Sequence, residues 1–185
     1  MKIAIHQPNF IPWMPFFQKM DSVDLFVLLT HCQYEKGGYQ NRFQARGAWH
    51  TMSVRKGMHP IADKLYKSPG EDWDRIKATF PELYVFDDLV CHYLRDTNCE
   101  IIRRMAKYLG VRTKIITDEP TKATSTARLV EICKRHNADT YLAGSGGSRD
   151  YLEVAQFEAV GIAVEFQAPE SLDRRHVLEL EKIPF

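Results

Sequence analysis

The sequence predicts an α/β protein, a mostly parallel sheet flanked by helices with a β-hairpin inserted at about 40–56. Three observations carry this. The chain opens on a short apolar run, Lys2 to His6, that Pro8 ends. Its second half alternates helix-like and strand-like segments with short connections, the order of a parallel sheet covered on both faces. Between these, the texture from Gln33 to Arg55 is polar and aromatic, with glycine turns at Gly37-Gly38 and Gly47.

Each element follows from its pattern. Lys2 to His6 reads as a buried strand. Pro12 suits the first turn of a helix, and Trp13, Phe16, Phe17 and Met20 recur at helical spacing, which places Trp13 in the core. Leu25 to Leu29 is a second buried strand. Asn41–Arg46 and Trp49–Arg55 form the hairpin, the second arm alternating Trp49, Thr51, Ser53 and Arg55 against His50, Met52 and Val54. Residues 56–70 read as a loop with one short helix, and Trp73 to Phe80 as a helix ended by Pro81. Asp87 to Leu109 is a longer helix stopped at Gly110. Then come a strand over Thr113 to Thr117, a helix over Thr126 to His136, a strand over Thr140 to Ala143, a short helix over Glu153 to Val160 and a last strand over Ile162 to Phe166.

The 185 residues suffice for one core, so residues 1–185 are expected to form a single domain. A net charge of +1 gives no global pull toward nucleic acid or anionic lipid. Apolar runs are far shorter than the ~20 residues of a bilayer crossing, so no membrane insertion is expected. The start meets His6, Gln7 and Pro8 at once and has no small-residue cleavage site, so no signal peptide is read. Cys32, Cys91, Cys99 and Cys133 form no C-x-x-C pair and read as reduced buried thiols of a cytoplasmic protein. Cys91 and Cys99 are spaced to share a helix face, a weak pointer to metal, and no zinc or H-E-x-x-H pattern accompanies them. No metal site is expected, and no motif names a cofactor.

Ligands of such sheets bind at the carboxyl ends of the strands. Two turns lie there, His6 to Trp13 and Gly144 to Ser148. A polar His6-Gln7 pair between apolar segments has little packing value, so His6 is the candidate catalytic residue and Gln7 a binding residue, against the alternative that His6 caps its strand. The helix that follows is expected to offer free N–H groups to an anion. Lys36 and Arg42 are candidates to clamp a phosphate or carboxylate, and Gln33 and Asn41 to read a hydroxyl or amide; the alternative is a solvated loop. Gly144, Ser145, Gly146 and Gly147 can bring backbone N–H groups to an anion, with Tyr151 just beyond. That run is neither a P-loop nor a dinucleotide fingerprint.

The stretch His6-Gln7-Pro8-Asn9-Phe10-Ile11-Pro12-Trp13, then Phe16-Phe17, Lys19, Gln33-Tyr34, Lys36 and Asn41-Arg42, resembles the WbqC-like protein family. Thr126-Ala-Arg-Leu-Val, Tyr141 to Gly147, Tyr151-Leu152, Phe157-Glu158 and Gly161-Ile162 fit the same pattern. The resemblance implies an enzyme of bacterial surface-polysaccharide biosynthesis, O-antigen above all, acting on sugars or their precursors. The layout also looks like the Rossmann-like nucleotidyltransferase class, with a histidine motif after strand one and a polar motif after a late strand. Three departures stand out: Pro15 where the family pattern has glycine, Thr30 and His31 where it has aspartates, and an end at Phe185 where the pattern continues. The last of these implies a substrate pocket that is either missing a part or completed by another subunit of a homo-oligomer.

Together these readings predict a group transferase acting on a small anionic or nucleotide-linked donor, with His6, Gln7, Lys36, Asn41, Arg42 and the Gly144–Gly147 turn lining one pocket and Trp13 packed beneath it. Two alternatives are a non-catalytic nucleotide- or sugar-binding module, and single-stranded nucleic-acid binding through Tyr39, Arg42, Arg46, Trp49 and Arg55.

Overall fold

The computed structural model describes residues 1–146, 151–168 and 176–179. Five strands form one parallel Rossmann-like sheet: β1 (Lys2–His6), β2 (Leu25–Leu28), β5 (Lys114–Thr117), β6 (Thr140–Ala143) and β7 (Ala163–Phe166). Their order is β5-β2-β1-β6-β7. A separate antiparallel hairpin pairs β3 (Arg42–Ala45) with β4 (Ala48–Thr51). The helices are α1 (Met14–Asp21), α2 (Pro69–Lys77), α3 (Leu94–Tyr108), α4 (Ser125–Arg135) and α5 (Val154–Glu158).

Period-two alternation along the strands sorts the core into two layers. Ala4, Phe26, Leu28 and Leu142 face α1, α3 and the hairpin, where Phe16, Phe17, Ile101, Met105, Phe43 and Met52 meet them. Ile3, Ile5, Val27, Tyr141 and Ala143 face α4 and α5, against Ile132, Cys133 and Phe157. His6 is two residues beyond Ala4 and so points to the α1 layer, where its ring meets Phe16 edge-on with centroids 4.9 Å apart.

Several elements differ from the sequence reading. The helix expected from Asp87 begins only at Leu94. Pro81–Leu89 is a 3-10 helix, and the chain then runs extended beside residues 64–66. There Tyr66 N donates to His92 O at 2.8 Å and Leu94 N to Lys64 O at 3.0 Å. Tertiary backbone pairing overrides helical periodicity. The helix before it, α2, starts earlier than expected, with Pro69 in its first turn and Glu71 and Asp72 on its positive end. Likewise α1 begins at Met14, so Pro15 rather than Pro12 occupies its first turn. The departure at Pro15 is accommodated because a first-turn N–H needs no intrahelical partner. Trp13 is not core. It stands outside the helix with extended dihedrals and is 47% exposed, although its spacing matches the Phe16–Phe17 stripe.

Candidate functional site

Strand order reverses between β1 and β6: β2 and β5 lie on one side of β1, β6 and β7 on the other. The pairing of β1 with β2 continues to His6–Leu28, whereas β1 and β6 pair only at Lys2–Thr140 and Ile3–Tyr141. The same offset carried along the strands sets His6 level with Gly144. Losing the ladder there opens a crevice at the carboxyl end of the sheet, where open α/β sheets take ligands. A cleft of about 820 Å³ fills it, and His6, Gln7, Lys19, Gly144, Ser145, Gly146 and Tyr151 all contribute to its lining. Gly147 lies outside the described residues.

The hydrogen-bond pattern at His6 fixes its tautomer. Nδ1 lies 2.9 Å from the carbonyl of Gln7, which only accepts, so Nδ1 carries the proton and Nε2 keeps a lone pair. Burial, together with the nearby Lys19 charge, lowers its pKa to about 4. The imidazole is therefore neutral at pH 7, with one basic nitrogen.

The turn after β1 is held from several sides. Asn98 on α3 donates from Nδ2 to Pro8 O at 2.8 Å and Gln40 O at 2.7 Å, while Tyr66 Oη donates to its Oδ1 at 2.7 Å. Phe10 N donates to Tyr39 O at 2.8 Å. Ile11 has φ 45, a left-handed conformation that a β-branched residue adopts only under constraint. Its carbonyl accepts from Nε2 of His176 at 2.9 Å, and Nδ1 of that ring accepts from Leu178 N at 3.2 Å. Gln40 Nε2 donates to Gln7 Oε1, and Gln7 Nε2 reaches Cys32 Sγ at 3.4 Å, so the Gln7 side chain is anchored where it borders the cleft.

The polar residues of the hairpin region do not converge on this cleft. Asn41 is buried as a strut: its Oδ1 accepts from Tyr34 Oη at 2.8 Å and its Nδ2 donates to Met52 O at 2.6 Å. Arg42 lies 4.1 Å over the Trp49 ring and donates to Gly38 O and Gly37 O, pinning the loop. Gln33 donates to His59 O at 3.0 Å, and Lys36 is exposed and outside the lining. All four were expected at the cleft because they follow β2, but Gln33, Asn41 and Arg42 spend their hydrogen bonds on neighbouring groups, and Lys36 stays outside the lining. In their place Asn9, Tyr39, Gln40 and Gln44 reach the cleft. Trp13, Tyr39 and Tyr151 border it as exposed aromatics.

The helix N-terminus also falls short of its expected role. Pro15 has no N–H, and Phe16 N is bound to Trp13 O at 3.1 Å. Lys19, quoted in the sequence reading only as part of the family resemblance, was given no place at the cleft. It is 2% exposed, lines the cleft, and donates from Nζ to Ile5 O at 3.1 Å. Burial lowers its pKa to about 7. The signal was present: Phe16, Lys19 and Met20 follow i, i+3, i+4 spacing, which puts a lysine on the apolar face.

At the end of β2, where the resemblance raised the expectation of aspartates, a carboxylate arrives from the end of β5. Asp118 Oδ1 accepts from Thr30 N at 2.6 Å, Thr30 Oγ1 at 2.9 Å and His31 N at 3.2 Å, and lies 3.2 Å from His31 Nδ1. The four thiols are unpaired, and no metal-binding cluster occurs among the described residues. None of the described helices is long and apolar enough to cross a membrane.

Fold and crevice thus define a parallel-sheet α/β protein with a cleft at the switch point of its sheet. The family model of the WbqC-like protein family matches residues 7–174, and the chain belongs to that family. A protein of Mycobacterium tuberculosis, "Uncharacterized protein Rv1507c", is 28% identical over 188 residues, covering 88% of this chain and 80% of the relative. No solved structure matches.

Proposed function

We propose that this chain is a group transferase of bacterial surface-polysaccharide biosynthesis that takes a small activated donor, a sugar or a nucleotide-linked group, in the switch-point cleft. The observation that carries the reading is the convergence of a neutral, tautomer-fixed His6 and the Gly144–Gly146 turn on one crevice. His6 Nε2 acts as general base: it takes the proton of an acceptor hydroxyl or amine as that atom bonds to the transferred group. The bond to the donor's phosphate breaks, and the phosphate leaves with the electron pair as an anion. The Gly144–Gly146 turn offers backbone to the anionic part, and Trp13, Tyr39 and Tyr151 offer ring faces to a sugar or base. Catalysis in the cytoplasm by one domain spanning the chain belongs to the same proposal.

The test is a thermal-shift screen of nucleotides, nucleotide sugars and acyl carriers, followed by product analysis for any that stabilise the protein. His6→Ala is expected to lower turnover by about 10²-fold or more. Full activity in that variant, or no stabilising donor at all, removes the proposal. Ligand binding without turnover in the parent protein supports instead a binding module, a reading favoured by Thr30 and His31 at the end of β2.

A further inference from the structure

A lysine ammonium withdrawn from water normally brings a carboxylate or a ring with it. Lys64 shows the usual solution here: 2% exposed, it lies 4.7 Å over the Tyr34 ring and donates to Gly57 O at 2.8 Å. Lys19 has neither. Among the described residues its one partner is the Ile5 carbonyl, with no carboxylate in ion-pair range and no ring over it. An ammonium has three protons, so two have no acceptor among the described residues. The residue stands in the last turn of α1 and lines the cleft together with His6.

We infer that Lys19 is the counter-charge of the bound ligand, meeting a compact oxyanion, a phosphate or a carboxylate, inside the cleft beside His6. This rests on the reading of the cleft as the ligand site, and it assigns the anion to a buried residue of α1 rather than to Lys36 or Arg42. The arrangement selects for charge: a neutral ligand leaves the ammonium uncompensated, while an anion completes it. Binding is then coupled to protonation, because an anion favours the charged lysine whose free form burial disfavours. The other titratable groups facing the cleft are His6 on β1, Tyr141 on β6, Glu35 and Tyr39 after β2, Tyr151, and His176 with Glu179. The two histidines have pKa values near 4, and Glu179 accepts from Arg46 N and His176 N.

Calorimetry of the full chain with sulfate and with malonate, at about pH 8 in two buffers of different ionisation heat, tests this. Both probes are fully ionised there, so any proton taken up goes to the protein. The expected result is binding of at least one probe with uptake of about one proton per anion. Sulfate preference marks a phosphate-type ligand and malonate preference a carboxylate. Lys19→Met should weaken binding by at least about tenfold and abolish proton uptake, with a melting temperature at or above the parent's. No binding of either probe, binding without proton uptake, or parent-like binding by Lys19→Met overturns the inference. A Lys19→Met protein that melts lower and is still stabilised by sulfate also overturns it, by showing a purely structural lysine. Should that variant fail to fold, proton uptake by the parent decides alone. Turnover is not part of this test: anion binding of the expected kind with no His6-dependent product leaves the inference and removes the transferase, and product formation without anion binding does the reverse.

Discussion

At the scale of single residues, His6 and Gly146 make separable demands. The Nδ1 proton of His6 is spent on Gln7 O, so only Nε2 can exchange a proton with a substrate. Its pKa of about 4 places the loss of base function far below neutrality. A pH–rate profile for kcat/KM should therefore be flat in its His6 limb from about pH 5 upward and fall as pH drops through about 4. A limb near pH 6.5 that disappears in His6→Gln would contradict the desolvated imidazole. Gly146 is informative for the opposite reason. A Cβ placed on it meets nothing within 4 Å among the described residues, so their packing does not require glycine there. Gly146→Ala should leave the melting temperature within about 1 °C while raising KM about tenfold if the backbone approaches the ligand. An unchanged KM would take the turn out of the site.

At the scale of elements, the cleft is built where the β1 turn, the β2 loop and α3 are cross-tied by Asn98. Its amide supplies both Pro8 O and Gln40 O, and nothing of that span is local in sequence. Asn98→Ala leaves two carbonyls and the Tyr66 hydroxyl without their partner, which should cost about 3 kcal/mol and weaken ligand binding together with stability. Denaturant unfolding measures it; a loss below about 0.5 kcal/mol would mean that the turn holds itself. The same element shows what was legible in the chain. The five sheet strands, α1, α4 and the hairpin each write their own period into the sequence, so their positions were readable within a few residues. Residues 90–93 carry apolar helical spacing too, but His92 O and Leu94 N bond to Tyr66 and Lys64, partners that periodicity does not encode. The site divides in the same way. The position of His6 and Gly144 on the cleft was readable because strand ends and glycines mark themselves. Asn41, Arg42 and Gln33 were expected at the cleft and lie outside its lining, because in sequence a polar side chain looks alike whether it faces a cleft or a neighbouring carbonyl. Gln40, Asn98 and His176 act across 33, 58 and 165 residues of sequence, with no local mark.

For the whole molecule, the buried bases set how stability follows pH. His6 and His176 titrate near 4 in the folded protein against 6.5 for an exposed histidine. Both are neutral in the native state, so the unfolded chain binds more protons below about pH 6.5. Stability is lost as pH falls from about 6.5 to about 4, on the order of 3 kcal/mol for each ring. Lys19 titrates near 7 rather than 10.5, again with the unfolded chain binding more protons, here above pH 7. Stability therefore rises with pH above about 7 on its account. Opposing it, burial raises the thiols of Cys32, Cys99 and Cys133 from 9.0 to about 11 or 12. Their unfolded forms ionise first, which removes stability above about pH 9. The melting temperature should thus climb from pH 4 through neutrality and peak between about 7.5 and 9, on the alkaline side of the usual optimum. Lys19→Met should flatten the rise between about 7 and 9 and leave the acid limb in place, whereas His176→Phe should shallow the acid limb only. The two limbs respond to different residues, and that separation is the test. An optimum below pH 6 in the parent, or an alkaline rise that survives Lys19→Met unchanged, would show that Lys19 keeps its charge in the empty cleft and that a counter-ion is already at hand.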